Sequence, residues 1–329
     1  MTTSEILASL SKLAVLVVGD ICLDRWCTYD PSMAQPSRET GIPRIGVVSV
    51  EVTPGGGGAI GNNLASLCAG RVAVLGVVGE DGFGYELAGA LRARSIQTDL
   101  LVATSEMRTF TYSKIINSAS GVEDMPRLDF INTEPVPPSV ESEVVARLRS
   151  NFDFFDVILV GDQAETSAGG VVTPAVRNAL AELASRHPSK TVLVDSRLRV
   201  AMFRNVAVKP NQQEAAAASQ YLCGKLDYQA VRRHTGAPFI YVTHGSKGVL
   251  VVEERGETWV PTVPVETPVD ICGAGDSFHA GAGLALAITG SPLVAARFGN
   301  LVASVTIMKK GTGTASPEEV LRADQVVPR

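Results

Sequence analysis

The sequence predicts a doubly wound α/β fold, in which a mostly parallel sheet is flanked on both faces by helices. Continuous runs of aliphatic and β-branched residues recur along the chain, and such runs are typical of strands covered on both faces. They occupy residues 13–18, 72–78, 157–160, 191–194 and 239–242. Helical stretches alternate with them, at residues 60–69, 85–94, 140–150, 174–186 and 213–221. This alternation predicts right-handed crossovers and therefore parallel strands.

Two segments interrupt the alternation and predict a small β-sheet lid. Residues 44–52 alternate apolar and polar side chains, and residues 108–116 are rich in Thr, Tyr and Ile. Both patterns are typical of half-exposed antiparallel strands, and residues 125–130 are a further candidate. We expect one domain over residues 1–329, with a lid formed by about residues 40–53 and 107–131 inserted into the α/β core. The remaining predicted elements are a hairpin and two apolar helices, at residues 247–252 with 258–260, 274–289 and 293–309.

Composition narrows the class of protein. Apolar residues make up 45% of the 329 residues and charged residues 19%, which is enough for a large core. The net charge is -5 and no Lys/Arg run occurs, which argues against nucleic acid as a partner. Five scattered cysteines without a C-x-x-C pair argue against a disulfide framework or a structural zinc site. Neither a signal peptide nor an apolar window of roughly 20 residues is found, so we expect a cytoplasmic protein without a membrane partner.

The segment from Cys272 to Asp276, Cys-Gly-Ala-Gly-Asp, is the first candidate for chemistry. Gly273 and Gly275 allow backbone conformations in which successive N–H groups converge on one point. The predicted helix begins there, and its N–H groups and dipole favour an anion such as a phosphate. Asp276, in the first turn, is placed to take a proton from an attacking hydroxyl. Taken alone, the segment also fits an ordinary helix cap, so its context has to decide.

Five motifs in a fixed order supply that context. They are a glycine-rich turn opening a helix, a G-x-D-x-x-G element, an N-x-x-E element, a T-x-G-x-x-G loop, and Gly-Ala-Gly-Asp followed by a small and an aromatic residue. They occupy residues 54–65, 79–84, 211–214, 243–248 and 273–278. In this order, over residues 13–315, they resemble the ribokinase-like (PfkB) family of carbohydrate kinases. The resemblance implies a ribokinase-like fold and an enzyme that transfers the γ-phosphoryl group of ATP to a hydroxyl of a sugar or sugar phosphate.

The resemblance assigns roles around the transferred phosphoryl group. It makes Asp276 the catalytic base, and it makes the backbone of Gly273, Ala274 and Gly275 the anion hole. Asn211 and Glu214 would hold the Mg²⁺–phosphate assembly through water, which Mg²⁺ tends to retain. Taken alone, the pair is a helix capping box.

The same resemblance assigns nucleotide contacts. Lys209 is a candidate phosphate contact, although a lone lysine is equally well explained as a solvated side chain. The resemblance places Thr243, Gly245 and Gly248 along the nucleotide pocket. It places Asn300 near the adenine, while helix packing explains a buried asparagine equally well.

On the sugar side, Asp24 matches the family aspartate that holds substrate hydroxyls, with Asp20 as the competing candidate. Gly55 and Gly56 would let the substrate approach the backbone. Asp162 follows a predicted strand at its carboxyl end, where open α/β sheets place ligands, and is a second candidate.

The sequence departs from the family pattern at the substrate side. The usual substrate asparagine falls at Ala59 or Ile60, neither of which can form a side-chain hydrogen bond. Asn62 or Asn63 is the candidate replacement, about one helical turn away. Cys272 stands where a threonine commonly precedes Gly-Ala-Gly-Asp. These changes leave the identity of the sugar open.

Local features resemble the branch of the family that phosphorylates heptose phosphates for lipopolysaccharide precursors. They lie at residues 19–25, 114, 127–129 and 194–197. In that branch basic lid residues hold the phosphate of the substrate, which makes Lys114, Arg108 and Arg127 candidates; exposed lid charges are the alternative. A heptose-7-phosphate 1-kinase, a nucleoside or vitamin-precursor kinase, and a non-catalytic sugar or nucleotide sensor are the alternatives to a general sugar kinase.

The remaining expectations concern cofactors and assembly. ATP and Mg²⁺ are the expected cofactors, and the loop around Asp270 is a candidate site for a monovalent cation. Apolar lid residues could close over the substrate or form a homodimer interface: Ile45, Val47, Phe110 and Tyr112.

Overall fold

The computed structural model describes residues 1–263, 265 and 267–326. Within them the strands are β1 (Ala14–Gly19), β2 (Ile21–Tyr29), β3 (Gln35–Pro36), β4 (Pro43–Arg44), β5 (Val47–Gly56), β6 (Arg71–Leu75), β7 (Val77–Gly79), β8 (Val102–Thr104), β9 (Thr111–Asn117), β10 (Leu128–Phe130), β11 (Val157–Asp162), β12 (Thr191–Ser196), β13 (Ala207–Val208), β14 (Phe239–Thr243), β15 (Val249–Glu253) and β16 (Gly256–Val260). The helices are α1 (Thr3–Ser9), α2 (Gly57–Ser66), α3 (Gly82–Arg92), α4 (Pro138–Asn151), α5 (Pro174–Arg186), α6 (Gln212–Cys223), α7 (Tyr228–Thr235), α8 (Ala274–Thr289), α9 (Pro292–Thr306) and α10 (Pro317–Val326).

The central sheet is mostly parallel, which confirms the predicted fold class. Its strand order is β16-β15-β14-β13-β12-β11-β1-β6, with antiparallel pairing only among β14, β15 and β16. Side chains of β1 alternate between the two faces, and Val15, Leu16, Val17 and Val18 are all fully buried. A strand buried on both faces needs apolar residues at every position, which explains the unbroken aliphatic run in the sequence.

Helices cover both faces of this sheet. Helices α1, α2, α3, α8, α9 and α10 share one apolar core with the sheet, and helices α4 to α7 share a second core on the opposite face. Among the described helices, none is both long and apolar enough to span a bilayer. The layered core leaves the carboxyl ends of the parallel strands for ligands, as in other open α/β sheets.

The lid is a four-stranded sheet in the order β10-β9-β2-β5. Its central strand β2 was not predicted, because Ile21–Tyr29 follows β1 after a single residue and begins with an aliphatic run of its own. Strand β9 pairs with β2 in parallel, so the expectation of purely antiparallel lid strands was wrong. Helix α3 packs on the lid through Phe83, whose ring lies 5.0 Å from that of Phe130.

The predicted strand at residues 72–78 is two strands. Residues up to Leu75 form β6 in the central sheet, whereas β7 leaves that sheet and pairs with β8. The break falls at Gly76, where a Cβ would stand against the carbonyl oxygen of Gly19. Strand β13 and helices α1, α7 and α10 were also missing from the prediction.

Candidate active site

A cleft lies between the lid and the carboxyl ends of the central strands. It encloses about 700 Å³ of empty space, part of it open to solvent. Its lining comes from the lid, the start of α2, the loops after β11 and β12, the start of α8, and the segment between α9 and α10: Asp24, Arg25, Trp26, Gly56, Ala59, Tyr112, Lys114, Arg127, Gln163, Arg197, Cys272, Gly273, Asp276 and Thr312. The predicted base therefore shares one cleft with lid residues that are distant in sequence.

The residues of the predicted anion hole lie at the start of α8. Gly273 is the N-cap residue and has a φ of 76°, in the left-handed region that favours glycine. Having no side chain, Gly273 offers no side-chain acceptor to which the first N–H groups of α8 could donate. The Ser277 hydroxyl donates to the Gly273 carbonyl oxygen at 3.0 Å and secures the turn. Such a helix start suits an anion.

Asp276, the predicted base, lies in the first turn of α8 and has a raised pKa. Burial raises the pKa of Asp276 to about 7, the nearby carboxylate of Asp195 adds to the rise, and the ammonium of Lys209 opposes it. A base works best with a pKa near the working pH, because it is then both ionised and able to hold a proton.

Lys209 lies beside the anion hole and is not a solvated side chain. It is 3% exposed, and its Nζ lies 2.9 Å from a carboxylate oxygen of Asp195. The same Nζ is 3.7 Å from the position that a Cβ of Gly275 would occupy. Burial lowers the pKa of Lys209, but Asp195 and the neighbouring Glu214 outweigh it, so the ammonium is held in its charged form. A positive charge is thereby fixed next to the helix start.

Asn211 and Glu214 form the capping box of α6. The Asn211 N–H donates to Glu214 Oε2 at 2.7 Å, and the Glu214 N–H donates to Asn211 Oδ1 at 2.9 Å. Burial, with Asp195 nearby, raises the pKa of Glu214 to about 7. Thr243 joins this region, since its N–H donates to the Pro210 carbonyl oxygen at 3.0 Å. The structure thus brings together these predicted nucleotide-side residues.

The other predicted nucleotide contacts differ in their surroundings. The Asn300 Nδ2 donates to the carbonyl oxygens of Val260 and Pro261 at 3.1 and 3.2 Å, so this amide fastens α9 to the end of β16. Gly248 packs against the Val260 carbonyl oxygen, whereas a Cβ on Gly245 would meet open space. Gly245 is therefore the glycine of this loop that a ligand can approach.

Asp24 faces the cleft from the middle of β2. It lies on the lid, where it is paired with Thr53 of β5 and Tyr112 of β9. Burial raises the pKa of Asp24 to about 6, opposed by nearby cations, first of all Lys114. A Cβ on Gly55 would overlap the Asp24 carboxylate, so the carboxylate can occupy this position only because residue 55 is a glycine.

Comparison with known proteins adds to this geometry. Residues 13–319 match the sequence model of the pfkB family of carbohydrate kinases. The chain belongs to this family. It is accordingly an ATP-dependent carbohydrate kinase, a class whose substrates are small sugars.

Curated relatives agree with this assignment. The bifunctional protein HldE of Trichlorobacter lovleyi is 31% identical over 322 residues, which are 95% of this chain and 63% of that protein. HldE of Bradyrhizobium diazoefficiens is 30% identical over 322 residues, with the same coverage of both chains. The kinase chain thus spans about 63% of the length of these relatives.

Solved structures share the fold. Arabidopsis thaliana ribokinase complexed with ribose and ATP superposes with a TM-score of 0.69 at 19% identity, covering 96% of this chain and 99% of that one. Escherichia coli phosphofructokinase-2 in complex with potassium gives a TM-score of 0.70 at 18% identity, covering 94% and 98%.

Asp20 is buried and binds the backbone of the segment that follows β11. It is 3% exposed, and its carboxylate accepts the N–H groups of Gln163 at 2.8 Å and Val171 at 2.7 Å. Both carboxylate oxygens are thereby engaged by backbone. Of the two candidates for substrate hydroxyls, Asp24 is the one that lines the cleft.

Asp162 is also part of the core. Its Oδ1 accepts from Arg199 at 3.0 Å and its Oδ2 accepts from the Ser196 hydroxyl at 2.7 Å, and the residue is 1% exposed. The structure gives Asp162 an ion pair behind the cleft, outside the cleft lining. The expectation that it contacts substrate is corrected accordingly.

The candidate replacements for the substrate asparagine lie outside the cleft lining as described. Asn62 is half-buried on α2, and the buried Asn63 donates through Nδ2 to the Ala59 carbonyl oxygen at 3.0 Å. Ala59 itself lines the cleft. At this place the kinase presents the methyl group of Ala59 to the cleft, and Asn62 does not line it.

A basic wall lies on the sugar side of the cleft. Lys114 and Arg127 line it as expected, whereas the main chain of Arg108 is tied to Asn132, outside the lining. Arg197 joins them from the loop after β12. Gln163 was not predicted from the sequence, Tyr112 was predicted only as an apolar lid residue, and Arg197 was noted only within the branch-like segment 194–197. For Gln163 and Arg197, the signal was their position just after predicted parallel strands.

Proposed function

We propose that this kinase transfers the γ-phosphoryl group of ATP to a hydroxyl of a sugar that already carries a phosphate group. The observation that carries the proposal is that Lys114, Arg127 and Arg197 line the same cleft as Asp276. A neutral sugar needs hydroxyl partners, whereas a phosphate is bound by guanidinium and ammonium groups. The local resemblance to the heptose-phosphate branch makes a heptose phosphate, phosphorylated at its anomeric hydroxyl, the leading candidate.

The acceptor hydroxyl would be oriented by Asp24 and would give its proton to Asp276. The α8 N–H groups and Lys209 would stabilise the negative charge on the phosphoryl oxygens during transfer. Because the pKa of Asp276 is raised to about 7, this carboxylate can hold the proton after transfer.

Asn211 and Glu214 fit the proposed magnesium role. The hydrogen bonds described engage Oε2 of Glu214, which leaves Oε1 to accept from a metal-bound water. Mg²⁺ would supply positive charge that neutralises the polyphosphate, and it commonly keeps several waters when bound by few carboxylates.

The loop at Asp270 is the proposed place for a monovalent cation. The Asp270 carboxylate accepts the N–H groups of Cys272 at 2.9 Å and Gly311 at 3.1 Å, which organises the backbone just before α8.

A homodimer through the lid is also proposed. Its support is the exposure of Ile45 and Val47 on the lid. Phe110 is buried and Tyr112 lines the cleft, so these two do not belong to that surface.

All five cysteines are free, in agreement with the cytoplasmic location that we propose.

The test is a substrate panel that pairs each sugar with its phosphate, with ADP release as the readout. The panel includes heptose, heptose 7-phosphate, hexoses, hexose phosphates and nucleosides. We expect kcat/KM to be at least about a hundredfold higher for a sugar phosphate than for the matching sugar, because a well-placed charged hydrogen-bond set contributes several kcal/mol. Preference for a neutral sugar or a nucleoside would refute the proposal, and ATP binding without any turnover would favour the sensor alternative.

A variant separates the phosphate contact from general damage. Lys114→Met should raise KM for the sugar phosphate about tenfold and leave KM for ATP unchanged, because a charged hydrogen bond contributes roughly 1.5–3 kcal/mol. Lys12→Met, on the exposed surface away from the cleft, is the matched control and should behave as wild type.

A further inference from the structure

Glu165 links the lid to the core beside the cleft. It lies in the loop after β11, and its Oε1 accepts a hydrogen bond from the Tyr112 hydroxyl of β9 at 2.9 Å. The same oxygen is paired with the guanidinium of Arg197, in the loop after β12. Tyr112 and Arg197 both line the cleft. One carboxylate oxygen therefore holds two cleft residues that come from different parts of the fold.

A second carboxylate, that of Asp129, pairs with another arginine of the basic wall. Asp129 accepts from the Nε and Nη2 of Arg127 at 2.7 and 2.6 Å, and the guanidinium of Arg127 lies 4.8 Å from the Tyr112 ring centroid. Both arginines of the basic wall are thus already bound to carboxylates. Their forked geometry toward a carboxylate is the geometry that they would use toward a phosphate.

The Glu165–Arg197 pair is exposed enough for Arg197 to exchange Glu165 for another anion. Its side chains are 34% and 44% exposed, and an ion pair with such access to water is weak. A phosphate dianion offers Arg197 more charge and more acceptor oxygens than a carboxylate does. A neutral sugar offers neither, so it leaves the pair in place.

We propose that Glu165 is an internal competitor for the anion subsite, which the phosphate of the substrate must displace from Arg197. Glu165 then acts as a specificity-determining residue, because weakly charged or neutral acceptors do not displace it. The inference rests on the proposed function in one respect: the natural competitor is taken to be the phosphate group of the acceptor.

Glu165→Gln tests the inference, because glutamine keeps an oxygen for Tyr112 and loses the charge. The measurement is calorimetric binding of inorganic phosphate, with the nucleotide side saturated by the Mg²⁺ complex of a non-hydrolysable ATP analogue. We expect the Kd for phosphate to fall about fivefold, equivalent to about 1 kcal/mol. Glu182→Gln is the matched control: it removes the same charge from exposed pairs with Arg149 and Arg186, and it should leave the Kd unchanged.

A second readout separates competition from a merely structural role. In Glu165→Gln, KM for a phosphorylated acceptor should fall while KM for ATP stays the same. An unchanged or weaker phosphate affinity in Glu165→Gln would overturn the inference, and the weaker result would mean that Glu165 only holds Arg197 in place. An equal gain in Glu182→Gln would also overturn it, since the effect would then be one of net charge.

The outcome is independent of whether the proposed function holds. Tighter phosphate binding in Glu165→Gln, with no sugar phosphate turned over by the wild type, would support the competition and refute the proposed function. Turnover of a sugar phosphate without tighter phosphate binding in the variant would support the proposed function and refute the competition.

Discussion

The pH dependence of the reaction should report the ionisation of Asp276. Burial and the carboxylate of Asp195 raise the pKa of Asp276 to about 7, from an ordinary value of 3.8. The proposed base would act in its ionised form, so activity should be lost as the pH falls through the raised pKa. At pH 6 about a tenth of the carboxyl is ionised, and kcat/KM for the acceptor should fall about tenfold for each further pH unit.

Asp195→Asn is the perturbation that tests the cause of this pKa. It removes the negative charge that raises the pKa of Asp276, and it frees the charge of Lys209, which lowers that pKa. Both changes favour the ionised base, so the acid limb of the profile should move to lower pH. The lower maximal rate expected from a misplaced Lys209 does not affect the position of that limb.

The assay is kcat/KM for the acceptor between pH 5 and 9, at saturating Mg²⁺–ATP and constant ionic strength. Asp153→Asn, an exposed carboxylate far from the cleft, is the control and should keep the wild-type profile. A wild-type profile that is flat between pH 5 and 8 would refute the assignment of a raised pKa to the base. A limb that stays near pH 7 in Asp195→Asn would refute the electrostatic role of Asp195.

Three further variants test other parts of the structure. Asp276→Asn should lower kcat by about 10² to 10⁴, the range of general base catalysis, with the Kd for ATP unchanged by calorimetry; a wild-type kcat would mean that another group is the base. Gly55→Ala should raise KM for the acceptor more than tenfold and leave KM for ATP unchanged, because its Cβ would displace the Asp24 carboxylate. Arg199→Met should lower the free energy of unfolding by about 3–5 kcal/mol in urea, because it leaves the buried Asp162 without its partner; a loss under about 1 kcal/mol would contradict that ion pair.

The phosphate side of the site could be predicted from the sequence because it is built from contiguous segments. Gly273 and Asp276 lie within one helical turn, and Asn211 and Glu214 lie within another, so local spacing determines their relative positions. A capping box and a glycine N-cap are properties of a few adjacent residues. The parallel strands could be predicted for a similar reason, since burial on both faces produces unbroken aliphatic runs.

The sugar side could not be predicted in the same way, because distant segments assemble it. Asp24 and Lys114 come from neighbouring lid strands, and Arg197 and Gln163 come from loops of the core. No local sequence pattern predicts that these segments come together in the fold. The central lid strand β2 was missed, and with it the reason that Asp24 faces Gly55. Asp162 was misplaced for a related reason: its position at the carboxyl end of a strand was correct, but its ion pair with Arg199 depends on a residue 37 positions away.

Asp195 belongs to the segment 194–197 that resembles the heptose-phosphate branch, but its electrostatic effect on the candidate site could not be predicted from the sequence. It lies at the carboxyl end of β12 and is 8% exposed. It pairs with Lys209, and it helps to raise the pKa values of both Asp276 and Glu214 to about 7. His279 lies one helical turn after Asp276, where burial lowers its pKa to about 4, so it is neutral at neutral pH and adds no positive charge. Burial is the largest cause of the raised pKa of Asp276, and Asp195 is the nearby charge that adds most to it, which is why Asp195 is the informative position to change.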